Sequence, residues 1–349
     1  MKTICVYAGT FCPPTLGHLR IVERAAKIFP QVIVVCSTNP KKDGGWFNSE
    51  ECRRMWFTYR FPPNVVVETF DSFKAKNPNP SQIIMLRGIR DEDDFECEKQ
   101  VVALNQKIGI DKYFYLIREE KYKQISSTKV RDLAVKMDIE HLAEYVSPLI
   151  ISALLEQVLN INNLFMVVGR PGSGKSTFLK MMTEEDSKNI HINTDEFNQL
   201  LKPLLKKRFG SENLIAAAIK QEEELKKIIR KPWLSLLKNR LRKTPPKSNV
   251  FVEIPYGMQQ DKLMFRFVGG KIIYVGCENS KTNEQRIINR GTPNLINFIN
   301  RIPGRLETFE MAEKYKLNLT CVNTDCSLSE LKEKVRNLNQ SIQKEGANL

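Results

Sequence analysis

Nowhere in the 349 residues do roughly 18 apolar side chains run together, the length a helix needs to cross a bilayer, so the pattern predicts no membrane span. The opening Met1-Lys2-Thr3-Ile4-Cys5-Val6-Tyr7 lacks the anatomy of a secretion signal before it turns to glycine and proline. Histidine is scarce, at three, and the eight cysteines include no Cys-x-x-Cys pair and no Cys/His array with zinc spacing. Structural zinc is thereby excluded, and the thiols suit burial in a reducing compartment. No segment repeats another. The chain is expected to be cytoplasmic and to have no membrane partner, while the pattern leaves its oligomeric state open.

Hydrophobic residues at 42% and charged residues at 27% lie near soluble globular averages, which excludes collagen, coiled coil and wholesale disorder. At roughly 100–200 residues per domain the length predicts two domains or three. The formal net charge of +14 is uneven: residues 1–160 carry 22 Lys and Arg against 20 Asp and Glu, and residues 161–349 carry 32 against 20. Much of the excess lies in 202–247, with 14 basic and 4 acidic side chains. Such a block attracts anions, so it suits phosphate-bearing small molecules, leaves nucleic acid open as a partner, and fits a merely solvated helical face as well.

Short apolar or β-branched runs at Ile4–Tyr7, Val32–Cys36, Val65–Glu68, Ile83–Leu86 and Tyr113–Ile117 read as strands, separated by helical-period stretches such as 18–29, 49–60 and 92–108. Further helices are expected at 128–136 and 148–159. After the polar seam Asn160-Ile161-Asn162-Asn163, a second series begins with Leu164–Val168, Asn189–Ile192, Val250–Ile254, Lys271–Val275 and Leu319–Val322. Alternating strand and helix predicts parallel sheets with right-handed crossovers. The expectation is an α/β chain with two tandem domains, 1–160 and 161–349, and a frayed polar tail after about residue 338.

The loop Gly9-Thr10-Phe11-Cys12-Pro13-Pro14-Thr15-Leu16-Gly17-His18 follows the first expected strand and enters a helix, where phosphate is readily held. Alone it reads equally as a tight turn. Ile125-Ser126-Ser127-Thr128-Lys129-Val130-Arg131 places three hydroxyls at a helix start, although capping needs one. Arg87-Gly88-Ile89-Arg90 puts two arginines at a strand end before the acidic helix start Asp91-Glu92-Asp93-Asp94-Phe95-Glu96-Cys97-Glu98. Those arginines suit a phosphate clamp or simple pairing with the acids.

Together these segments resemble the nucleotidylyltransferase superfamily over nearly all of residues 1–159. Thr15–His18 is similar to its [His/Thr]-x-Gly-His signature and Ile125–Arg131 to its Ser-Ser-Thr-x-[Val/Ile]-Arg signature. Arg87–Glu98 resembles the Arg-Gly-x-Arg-x-x-x-Asp-Phe-Glu-x-Glu feature of phosphopantetheine adenylyltransferase, and Asn39-Pro40-Lys41-Lys42 that enzyme's lysine-bearing loop. Cys12 departs from the family, which has Asp there, and His18-Leu19-Arg20 also resembles nicotinate or nicotinamide mononucleotide adenylyltransferases. The resemblance implies a Rossmann-like fold with ATP as co-substrate and an acceptor phosphate attacking its α-phosphate. It further implies that His18 donates to that phosphate, that Thr10 and Lys42 hold the acceptor, and that Arg90 with Ser126, Ser127 and Thr128 holds the outer phosphates. Arg87 would support them, and Gly9, Phe11, Gly17, Gly88 and Glu98 complete the ATP-binding set.

The second half opens with an apolar strand followed by Gly169-Arg170-Pro171-Gly172-Ser173-Gly174-Lys175-Ser176-Thr177, a full Walker A pattern in strand–loop–helix context. Its backbone N–H groups are expected to cradle phosphates, Lys175 to reach the outer ones, and Ser176 to ligate Mg²⁺. Asp195 would fall beside this loop if its strand is the next neighbour, serving as base or metal organiser, or it simply caps the following helix. Arg286, Arg290 and Arg301, with Arg305, suit a lid over phosphates. A Walker B aspartate is lacking, since Val250–Ile254 carries Glu253 instead. This half resembles small-molecule P-loop kinases, more faintly dephospho-coenzyme A kinase and the kinase half of phage polynucleotide kinases. The pairing implies a bifunctional transferase of coenzyme A synthase type. The alternatives are a nicotinamide mononucleotide adenylyltransferase joined to a ribosylnicotinamide kinase, or a polynucleotide 5′-kinase-like second half.

Overall fold

Buried β-branched runs demand neighbours on both faces, and all ten runs form strands of two five-stranded parallel sheets in the computed structural model. The structure describes residues 4–39, 44–76, 78–210, 212, 214–254, 270–293, 295–296, 299 and 304–345, without the side chains at 97, 195, 198, 214–223, 226 and 345. The chain divides into two compact units, Met1–Ile150 and Ile151–Leu349.

In the first unit the strands are β1 (Ile4–Gly9), β2 (Val32–Cys36), β3 (Val65–Thr69), β4 (Ile83–Ile89) and β5 (Lys112–Ile117), in the order β3-β2-β1-β4-β5. This is a Rossmann-like nucleotidylyltransferase fold. All five residues of β2 are buried, and the Leu16–Ala26 helix packs Ile21, Val22 and Ala25 inward at helical spacing. The chain winds from β1 outward through β2 and β3, then returns to place β4 on the other side of β1. That reversal opens a crevice at the carboxyl ends of β1 and β4.

In the second unit β6 (Asn163–Val168), β7 (Asn189–Asn193), β8 (Asn249–Glu253), β9 (Lys271–Gly276) and β10 (Asn318–Asn323) take the order β10-β9-β6-β8-β7. Its core joins Phe165, Val167, Phe178, Phe251, Ile273 and Val275. Among the described residues no helix is long and apolar enough to cross a membrane.

Two expectations are corrected. The boundary falls at 150/151 rather than 160/161, because the Pro148–Leu159 helix bonds to the second sheet. Ser152 Oγ accepts from Gly270 N–H at 2.8 Å, and Glu156 accepts from Leu164 N–H at 2.8 Å while pairing with Lys271 at 2.8 Å. The tail is not frayed at 338: the Leu328–Glu345 helix buries Leu331, Val335 and Ile342 against the core.

Glu156 and Lys271 are only 10% and 12% exposed, so removing one partner strands a buried charge. Glu156→Ala is expected to destabilise the second unit by about 3 kcal/mol. Hydrogen exchange should then quicken at β6 and β9 amides and stay unchanged at β1.

Candidate active site

The crevice in the first unit is a cavity of about 430 Å³. Its wall carries Gly9, Thr10, Phe11, His18, Arg87, Gly88, Arg90, Glu98, Ser126, Ser127 and Thr128, which the sequence distributes over 120 positions. Gly17 lies inside the first helix and is not on that wall. Lys42 lies outside the described residues.

The position of His18 follows from its helix start. Thr15 is the N-cap, its hydroxyl accepting from His18 N–H at 3.4 Å, while Thr15 N–H donates to His18 Nδ1 at 3.1 Å. A backbone N–H can only donate, so Nδ1 is the acceptor and the neutral ring carries its proton on Nε2. His18 thus presents a donor on its far nitrogen. Phe11 packs edge-on against the ring with centroids 5.1 Å apart, held with a φ of +46° that a bulky residue rarely adopts. Gly9 permits this, because a Cβ there would sit 3.0 Å from the Phe11 ring.

The three hydroxyls at the second helix start divide their work. Ser126 caps by accepting from Lys129 N–H at 3.1 Å, and Ser127 donates to the Pro13 carbonyl at 2.8 Å. Thr128 accepts from Arg131, which also reaches the Cys12 carbonyl. The Ser127–Lys136 helix start is thereby tied to the 12–13 loop. Cys12 itself is buried, with its thiol toward the Phe47 carbonyl and away from the cavity wall.

Arg87 and Arg90 reach the cavity already paired. Arg87 makes a two-point bridge to Glu98 at 2.6 and 2.5 Å and also donates to the Ala8 carbonyl at 3.1 Å. Arg90 does the same to Asp94 at 2.7 and 2.6 Å. This hydrogen bonding holds the Asp94 carboxyl below the usual carboxylate range. Tyr7, Asp94, Arg118 and Arg131 also line the wall and were missed by sequence reasoning. Arg118 had a usable signal: it directly follows β5, as Arg87 and Arg90 end β4.

In the second unit β6 leads through the glycine loop into the Lys175–Glu185 helix. Gly169 has room for no side chain, since a Cβ would lie 2.1 Å from the Val275 carbonyl oxygen, and Gly172 at φ +75° would meet Asn283 at 2.4 Å. Lys175 Nζ donates to the Gly169 and Arg170 carbonyls at 2.9 and 3.3 Å. A cavity of about 480 Å³ is lined by Arg170 and Ser173, but not by Gly169, Gly172, Gly174, Lys175, Ser176 or Thr177.

The order of the sheet corrects one expectation. Asp195 begins the helix after β7, but β7 pairs with β8, so its strand is not the neighbour of β6. The neighbour is β8, where Glu253 stands opposite Val167. Glu253 is buried and accepts from His191 Nε2 at 3.1 Å. Burial works against its charge, but the His191 bond and the Lys175 ammonium outweigh it and hold the carboxyl below its ordinary range. Arg286, expected over the phosphates, instead braces the loop, donating to Thr324 Oγ1 at 3.1 Å, Thr324 O at 3.0 Å and Gly172 O at 3.5 Å. Arg290 caps the Ser280–Asn289 helix, Arg305 pairs with Glu278 at 2.7 Å, and Arg301 lies outside the described residues.

The model of the cytidylyltransferase-like family matches residues 6–133. A phosphopantetheine adenylyltransferase of Mannheimia succiniciproducens is 36% identical over 159 residues, covering 45% of this chain and 98% of its own. One from Aquifex aeolicus is 38% identical over 131 residues, covering 37% and 81%. A solved NadR protein in complex with NR aligns over 97% of this chain and 96% of its own, at 13% identity and a TM-score of 0.32.

A carboxyl held low by its arginine stabilises the fold above its unfolded value of about 4, and that contribution vanishes as pH falls through the folded value. Asp94→Asn is expected to cost on the order of 0.5 kcal/mol near neutrality. In thermal melts the deficit should shrink as the pH is lowered past the unfolded value of about 4 and through the folded one; a deficit unchanged on acidification would contradict the pairing.

Proposed function

Because the chain belongs, through residues 6–133, to the cytidylyltransferase-like family, we propose that its first unit adenylylates 4′-phosphopantetheine with ATP, giving dephospho-coenzyme A and pyrophosphate. Nucleotidyl transfer of the adenylyl kind is the activity of this family branch; the acceptor is the proposed part. The observation that carries the reading is one cavity gathering Thr10, His18, Arg87, Arg90 and the Ser126–Thr128 helix start. Both curated relatives bear the name phosphopantetheine adenylyltransferase and are matched over most of their length.

The chemistry needs no protein nucleophile. An acceptor phosphate oxygen forms the bond to the α-phosphorus, and the bond to the bridging oxygen breaks with its electron pair leaving on pyrophosphate. Catalysis is therefore positioning and charge stabilisation. His18 Nε2–H donates to an α-phosphate oxygen, Thr10 and Lys42 hold the acceptor phosphate, and Arg87 supports them. The Ser126–Thr128 helix start offers free N–H groups and a positive dipole end to the outer phosphates. Arg90 joins them by exchanging the Asp94 carboxylate for a phosphate of the same bidentate shape.

For the second unit we propose a kinase that phosphorylates the product of the first. The support is the glycine loop, whose Gly169, Gly172 and Gly174 take positive φ ahead of Lys175, the kind of backbone that can turn N–H groups toward an anion. Its residues fit Mg²⁺, which such sites bind through substrate phosphates and few protein oxygens: Ser176 would ligate it, and Glu253 on the adjacent strand supplies a charged carboxylate. When bound, the ion would neutralise phosphate charge. Lys175 would leave the Gly169 and Arg170 carbonyls for the outer phosphates, and Asp195 remains the candidate base. Two consecutive activities on one chain raise the local concentration of the intermediate.

Mass spectrometry after incubation with ATP, Mg²⁺ and a panel of phosphorylated acceptors tests both halves. Wild type should convert 4′-phosphopantetheine to coenzyme A, and Lys175→Ala should stop at dephospho-coenzyme A. His18→Ala should slow the first step by about 10²–10³. Conversion of nicotinamide mononucleotide to NAD with phosphopantetheine untouched would overturn the acceptor assignment.

A further inference from the structure

Four arginines face the first cavity and only two carboxylates do, Asp94 and Glu98. Those two are consumed by Arg87 and Arg90. Arg131 is spent on the Cys12 carbonyl and Thr128. Arg118 differs from the other three. Its backbone N–H donates to the Ile89 carbonyl at 2.8 Å, which sets it beside Arg90 at the sheet edge. Its Nη1 donates to the Ile125 carbonyl at 2.9 Å, one residue before the Ser126 cap. Among the described residues it makes no ion pair with a carboxylate; its Nε is buried without a hydrogen-bond partner, while the side chain also hydrogen-bonds the Tyr7 phenol.

An orphaned donor of this kind is costly to bury, so a purely structural arginine would be better served by a second acceptor. The flat guanidinium lies against Gly88, where a Cβ would come within 3.5 Å of Nε. The side chains lining the cavity carry a positive balance, and the Arg118 charge is near enough to Asp94 to help hold that carboxyl low. Its field reaches the cavity floor as well: burial pushes the Tyr7 phenol up, and the Arg118 and Arg87 charges oppose that push.

We propose that Arg118 is a further phosphate-binding residue of adenylyl transfer, gripping the pyrophosphate portion of ATP. The inference rests on the adenylyl-transfer reading of the first unit but not on the identity of the acceptor. As the bond between the α-phosphorus and the bridging oxygen breaks, the electron pair settles on the departing pyrophosphate. Arg118 stabilises that charge with the part of its guanidinium that lines the cavity, the side chain being held in place by the bonds to the Ile125 and Ile89 carbonyls. It acts on the leaving group only and touches neither the acceptor nor the attacking oxygen.

Calorimetric titration of the full chain with inorganic pyrophosphate, and separately with AMP, tests this. Lys175→Ala serves as the background, to keep the second loop from contributing. Arg118→Met should weaken pyrophosphate binding at least about tenfold, equivalent to 1.4 kcal/mol, while AMP affinity stays within about twofold. Arg118→Lys should recover part of the loss, since it restores charge without the fork. If Arg118→Met does not fold, Arg118→Gln, which can still donate to Ile125, should show the same loss. Unchanged pyrophosphate affinity in a folded variant would overturn the proposal, and so would a loss confined to AMP, which would place Arg118 at the nucleoside. Neither ligand involves an acceptor, so failure of the phosphopantetheine assignment leaves this measurement intact.

Discussion

The pairing of β1 with β4 is the constraint on which the first unit turns. Ile4, Cys5 and Val6 lie opposite Ile83, Ile84 and Met85, so strands 79 residues apart end at the same edge. Parallel pairing is what makes this useful, because every carboxyl end then opens on one side and each following loop is free to carry polar groups. Gly9 and Thr10 leave from one strand and Arg87 to Arg90 from the other. Arg87 secures the junction by donating to the Ala8 carbonyl while its remaining nitrogens meet Glu98. Substrate phosphate would therefore enter a site whose walls are fixed by backbone register, with only side-chain tips left to rearrange.

Those tips are held in a poised state. Arg87 and Arg90 each sit in a two-point bridge with a carboxylate on the Glu92–Gln106 helix, the same planar geometry a phosphate offers. The acids keep the guanidinium groups from collapsing onto other partners, and a ligand bearing more charge displaces Asp94 from Arg90 at modest cost because that pair is partly exposed, whereas Glu98 is largely buried beside Arg87. Specific binding then depends on how much charge the ligand brings. Two or more phosphates would prevail where one carboxylate does not.

Strands were legible because each is a β-branched or apolar run bounded by polar residues, and this pattern survives folding when both faces are covered. The local motifs were legible for a related reason: Thr15–His18 and Ser126–Thr128 act through capping bonds three residues apart, inside the range of a sequence window. What could not be read was order. Nothing in the runs at Asn189–Asn193 and Asn249–Glu253 says which lies beside β6, so Asp195 was favoured and Glu253 passed over. The domain boundary failed for a similar reason. Ser152 and Glu156 look like the polar face of an ordinary helix until Gly270 and Lys271, more than 110 residues away, arrive as partners. Arg118 belongs to no motif; its sequence signal is its place directly after β5, and the ladder then sets it beside Arg90.

On the proposed reading the two units solve one problem, holding phosphate at a strand end, by different means. The first uses side chains: a histidine oriented by its own cap, arginines balanced by acids and a hydroxyl-rich helix start. The second uses backbone, and its demands are steric before they are electrostatic. Gly169 and Gly172 admit no Cβ because the Val275 carbonyl and Asn283 already occupy the space. Arg286 and Thr324 then bond the loop from outside, Thr324 Oγ1 donating to the Ser173 carbonyl at 2.6 Å. A side-chain site can be retuned one residue at a time. A backbone site tolerates change around it only as far as the packing on its glycines allows.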